Sequence, residues 1–249
     1  MTFEQLKQEF PNATLDTWHQ HPNGGGWVEN TAHVEDSAQV SGNAWVCGDA
    51  QVSGNAQVSG NARVSGNAWV SDDAQVSGKA WVYGNAWVRG NAWVSGNAQV
   101  YGNAQVYDDA QVSGNAWVCG DAQVSGNAQV SGNAQVSGNA WVCGDAQVSG
   151  NARLSGDAQV YGDAQVYEGN FEASPTYIQG SRYEIYQSTD DGLIITFGCI
   201  SKPLAWWDEH VERYAEEHGY TPAQQMEYRA YVELFKRLAE IRSSTKEQK

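Results

Sequence analysis

The chain has 249 residues and carries 29 acidic side chains against 14 Lys and Arg, a net charge of −15, which argues against simple binding along a phosphate backbone, so that direct contact with nucleic acid is not expected. Its four cysteines, Cys47, Cys119, Cys143 and Cys199, show neither CxxC nor Cys/His metal spacing, and no apolar run approaches the roughly 18 residues of a membrane span. Free thiols of this kind fit a reducing compartment, and neither a metal, a cofactor nor a membrane is called for.

Residues 1–27 differ in composition from the rest of the chain. The segment Phe3 to Phe10 predicts a short amphipathic helix ended by Pro11, and Leu15 with Trp18 supplies apolar surface before the connection His21-Pro22-Asn23-Gly24-Gly25-Gly26. His19 and His21 have no acidic or cysteine companion at a persuasive spacing.

From Val28 to Val166 every sixth residue is an aliphatic core candidate: of 24 such positions 23 are valine and one, Leu154, is leucine. Each unit reads like Val58-Ser59-Gly60-Asn61-Ala62-Arg63. Glycine at every sixth position and the poor helix propensity of valine exclude a helix. Alanine and the next valine, two apart, face the same way on a short strand, and Gly-Asn or Gly-Asp turns the corner. Three such units close an 18-residue triangular rung, and the repeat amounts to about eight rungs, a rod about 38 Å long at the roughly 4.8 Å spacing of paired strands. A rod of this kind needs its first rung covered, which assigns residues 1–27 to an N-terminal cap.

The outward positions sort into three ladders of period 18. One, from Gln39 to Gln165, is glutamine except at Trp93, with serines from Ser41 to Ser149 beside it; stacked amides bonding from rung to rung are expected there. A second carries Trp27, Trp45, Trp81 and Trp117 with Tyr83 and Tyr101, and the third carries Trp69, Trp87 and Trp141 with Tyr107 and Tyr161. Trp81, Trp87 and Trp93 fall in successive units, so one level of the rod presents tryptophan on all three sides. Of these rings Trp45, Trp69, Trp81, Trp87, Trp93, Trp117, Trp141, Tyr83, Tyr101 and Tyr107 are the binding candidates, with contact to another subunit, to the C-terminal region or to a flat ligand such as a carbohydrate as their open readings, beside cross-strand stabilisation. Cys47, Cys119 and Cys143 also follow core valines and so lie outside the rod.

The wording G-N-A-x-V-S, with an aliphatic residue and a small residue two before it, resembles the hexapeptide repeat of left-handed parallel β-helices, and in particular the YdcK-like group of bacterial and phage proteins. The resemblance covers about 140 residues and implies an all-β solenoid of left-handed coil. The free thiols and the lack of a signal-peptide pattern make the cytoplasm, of a bacterium or an infected cell, the expected setting. Many proteins of this fold are acyltransferases that act as trimers on acyl-CoA or acyl-carrier substrates, using a histidine beside the coil and a loop thrown out between rungs; others have no such activity. No such loop interrupts this repeat. Its only histidine, His33, with Glu35 two residues on, is the one candidate for a catalytic pair.

Beyond Gly169 the pattern changes. Tyr183–Tyr186 and Leu193–Phe197 predict a hairpin turning at Asp191-Gly192. Pro203 opens a helix ending near Gly219, and Thr221-Pro222-Ala223-Gln224 starts a second that runs to about Ile241 with Met226, Ala230, Leu234 and Leu238 on its apolar face, widened by Tyr231 and Phe235. Residues 171–249 thus read as a small α+β module attached to the rod of residues 28–170. His210, His218 and Cys199 form no convincing constellation there. The expectation is a non-catalytic scaffold for assembly or interaction, with a homotrimer favoured and a further protein partner allowed; the alternative is an acyltransferase-like enzyme with its site between subunits of a trimer.

Overall fold

The computed structural model describes residues 1–172, 174–189, 192–198 and 200–246. Between Trp27 and Phe171 the chain coils into a β-solenoid of about eight turns. The strands in the regular part are two residues long, and each pairs in parallel with those 18 residues before and after it, as Gln75 does with Gln57 and Trp93. The ladder is built from bonds such as Gln75 N–H to Ala92 O and Ser77 N–H to Val94 O, both 2.9 Å.

Three faces result. The Trp45 face runs from Trp27–Glu29 to Asn170–Phe171, the Trp69 face from His33–Val34 to Gln159–Val160, and the Gln face from Gln39–Val40 to Gln165–Val166. Alternation sends alanine and valine inward, and every repeat alanine and valine from Ala38 to Val148 is fully buried. Each buried valine is worth roughly 1.5–3 kcal/mol before chain entropy opposes it. The interior is filled by these side chains, so chemistry is confined to the outside and the ends.

The corners explain the glycines. Gly96 has φ +69°, and a Cβ on it would lie 2.9 Å from the carbonyl oxygen of Gly114 in the next rung. Asp72 and Asp108 hold the same left-handed conformation, at φ 61° and 60°. Their carboxylates offset the strain by accepting the N–H of Gly90 at 3.0 Å and of Gly126 at 3.2 Å.

The ladder of side-chain amides forms at the corners and not on the Gln face. Asn97 donates to Asn115, Asn115 to Asn133 and Asn133 to Asn151, at 2.9, 3.0 and 3.2 Å. No glutamine–glutamine bond occurs among the described residues. Asparagine has one torsion fewer and sits directly over its counterpart, whereas a glutamine amide gives up more rotamer freedom to do what water already does for it.

Helix α1, Phe3–Glu9, is closed by a Thr2/Gln5 capping box. It covers one side of the first rung through a cluster of Leu6, Ala13, Trp18, Trp27 and Trp45. Strand Trp18–Gln20 pairs antiparallel with Trp27–Glu29, and the following turn covers the edge of the Gln face, with Gly26 N–H donating to Val40 O and Val40 N–H to Asn23 O. Trp18 is buried as expected, but Leu15 is 68% exposed.

At the other end Tyr186 joins the rod core beside Phe171. The predicted hairpin is part of a larger antiparallel sheet of four strands, Tyr177–Gln179, Glu184–Gln187, Ile194–Phe197 and Ile200–Pro203; Asp191 of its expected turn lies outside the described residues, as does Cys199. Helices α2, Leu204–Glu217, and α3, Pro222–Lys246, pack on this sheet around Trp207, whose ring stacks on Phe197 at 4.0 Å. The buried face of α3 is Tyr228, Val232 and Phe235, whereas Met226, Ala230 and Leu234, predicted to face inward, are exposed.

Candidate functional site

No hydrogen bond or ion pair joins His33 to Glu35 among the described residues. His33 is exposed on the second strand of the rod, while Glu35 turns its carboxylate to the next corner and accepts the N–H of Gly54 at 2.8 Å. Ser37 donates to the same oxygen at 3.4 Å. The carboxylate thus serves the irregular first rung, where the glycine-asparagine corner is missing. His19 bonds Asn30 at 2.7 Å, and His210 and His218 each direct Nδ1 to the carbonyl four residues earlier while stacking on Trp206 and Tyr214. No group of three or more His, Cys, Asp or Glu side chains able to hold a metal occurs among the described residues.

The free thiols of Cys47, Cys119 and Cys143 are all half-buried. Burial, reinforced by Glu29, pushes the Cys47 thiol up to about 12, and burial raises that of Cys143 as well. A thiol so shifted is a poor nucleophile at neutral pH.

The aromatic candidates divide by position. Trp45 is a correction to the exposed set: it is 7% exposed, with Phe10 of the cap packed edge-on at 4.9 Å. The first rung needs an apolar lid, and Trp45 is part of what the lid covers. On the same face Trp81, Tyr83 and Tyr101 make a continuous stack, with centroids 4.4 and 4.8 Å apart and the two tyrosines nearly parallel. The Tyr101 hydroxyl is pushed up to about 12, first by its hydrogen bond with Cys119 and then by burial. Trp117 continues the face at 41% exposure.

On the Trp69 face, Trp69 and Trp87 occupy facing positions in successive rungs, 5.3 Å apart with their planes at 69°. Tyr107 lies under the Arg89 guanidinium at 4.9 Å, and Trp141 stands further along. Trp93 is the one tryptophan of the Gln face, at 47% exposure. Several indoles are tethered to the preceding rung: Trp69, Trp81, Trp93 and Trp141 donate to Ser53, Ser65, Ser77 and Ser125 at 3.1–3.3 Å. The rings are therefore held in place on the rod and keep their outer surface.

Sequence reasoning passed over three residues beside these rings. Arg89 and Asp72 border a groove of about 250 Å³ with Trp69, Ser71 and Trp87. Lys79 borders a second, more open one of about 470 Å³ with Arg63 and Trp81. Lys79 breaks a column of asparagines and Arg89 stands between Ser71 and Tyr107 as the one cation of its column, while Asp72 shares its column of glycines with Asp36 and Asp108, so departure from the repeat was the signal available. No helix among the described residues is long and apolar enough to cross a membrane.

A family model described as YdcK Beta solenoid repeat matches residues 38–54, 56–72, 98–114, 104–120, 110–126, 128–144 and 146–162. No curated protein matches the chain significantly. With its 18-residue turns, valine-alanine core and glycine-asparagine corners, the rod is a β-solenoid similar to the YdcK repeat over those residues.

Proposed function

We propose that the protein is a non-catalytic scaffold that associates through the Trp45 face, with a homotrimer as the favoured assembly. The observation that carries this reading is the Trp81–Tyr83–Tyr101 stack, continued by Trp117, on a flat face uninterrupted by loops. Fixed aromatic rings at this density are the side chains that supply most of the energy of interfaces, because they bury large areas at little entropic cost. The engagement of Glu35 with Gly54 and the exposure of His33 weigh against acyl transfer at that position.

Light scattering across a range of concentrations tests the proposal. The expected result is a mass near three times the 27.1 kDa of one chain, falling toward the monomer in Trp117→Ala or Tyr101→Ala. A monomer at every concentration would overturn self-association. Acyl-CoA turnover abolished by His33→Ala would overturn the non-catalytic reading and favour the enzyme.

A further inference from the structure

We infer that the groove at Trp69 and Trp87 is a binding site for neutral saccharide, taking a pyranose ring against the indoles and its hydroxyl groups against Arg89, Asp72 and Ser71. The two tryptophans are 38% and 41% exposed and meet at 69°, forming a step with apolar surface on tread and riser. The Trp69 ring is fixed by its bond to Ser53. A surface of that kind suits a rigid molecule with a flat face of C–H groups.

The polar rim selects among such molecules. Arg89 makes no ion pair among the described residues; its guanidinium rests on Tyr107, which leaves a planar set of N–H donors beside the step. Asp72 has committed Oδ2 to Gly90, which fixes the carboxylate and leaves Oδ1 to accept. Donors and acceptors side by side match hydroxyl groups, which do both. An anionic ligand would meet the field of a rod bearing 13 acids and 4 bases between residues 28 and 170, and a quaternary ammonium would meet Arg89. Trp141, three rungs beyond Trp87, lies about 14 Å further along the same face. An oligosaccharide lying along the rod axis reaches both.

The Trp69 face is separate from the face assigned to self-association, so the two readings fail independently. The test uses the full chain with maltohexaose, cellohexaose and chitohexaose as probes, read by titration calorimetry and by tryptophan fluorescence. At least one is expected to bind, with affinity falling about tenfold or more in Trp87→Ala and in Arg89→Gln. Trp93→Ala, on the Gln face, is expected to leave affinity unchanged, and none of these variants to alter the mass in solution. Arg89→Gln serves as the decisive variant should Trp87→Ala fail to fold. No binding of any of the three at about 10 mM, or equal losses in Trp93→Ala, would overturn the site.

Discussion

A methyl group added at Gly96 would press on the backbone of Gly114 while forcing an L side chain into φ +69°. Gly96→Ala is therefore expected to destabilise the rod by about 1–3 kcal/mol, read as a lower urea midpoint. The natural exception at Asp72 gives the complementary case. Asp72→Ala keeps the left-handed strain and deletes the bond to Gly90, so it should cost more than Asp72→Gly, which relieves the strain it exposes. The corner geometry was legible in the sequence because glycine recurs with a fixed period. The part that was not legible concerns breaks in that period: Asp72, Lys79 and Arg89, the first repeated at Asp108, acquire meaning only when the coil sets them beside residues 16 to 18 positions away.

At the scale of the element, the asparagine column is a continuous structure with one gap. Asn43 bonds Asn61, the run resumes at Asn97, and Lys79 stands between. Lys79→Asn should join the two into one column from Asn43 to Asn151 and add about 0.5–1.5 kcal/mol per restored bond, measured as a raised unfolding midpoint. Strand length, pairing period and inward residues all followed from the hexapeptide. Which amide column would bond did not, since Gln and Asn repeat with equal regularity and only their reach differs. Helix α3 was similarly half legible. It carries one apolar stripe through Met226, Ala230 and Leu234 and another through Tyr228, Val232 and Phe235, and packing on the sheet and α2 selects the aromatic one. Trp45 misled for a related reason: a period places a ring outside the coil but does not say that the cap will lie over it.

At the scale of the molecule, the rod and the C-terminal module are stabilised by different forces. The rod relies on valine burial and backbone ladders, and its one ion pair among the described residues joins Arg63 to Glu9. In the module, Lys236 and Arg229 of α3 grip Asp208 of α2 at 2.9 and 3.0 Å, and Ser181 and Tyr231 bond Glu227. The hydrogen bond from Lys236 leads in lowering the Asp208 carboxyl below its ordinary value, and that from Ser181 leads for Glu227. Groups depressed in the folded state contribute stability above their unfolded values, near pH 4, and that contribution disappears as pH falls through the folded values. Hydrogen exchange is thus expected to show α2 and α3 loosening below about pH 4 while rod amides stay protected, and Asp208→Asn to remove much of the difference.

The 18-residue turn has a further consequence for what such a chain can become. Because each rung touches only its neighbours and every face repeats with the same period, inserting or deleting one full turn changes the distance between the two ends by about 4.8 Å and leaves every column aligned. A change of one hexapeptide is different: it passes the next strand to the adjacent face and rotates the terminal module by a third of a revolution about the axis. Length and angular setting are therefore separate variables, edited by two different units of the same sequence, and the rod is a caliper whose span and whose clocking can be reset without redesigning either end.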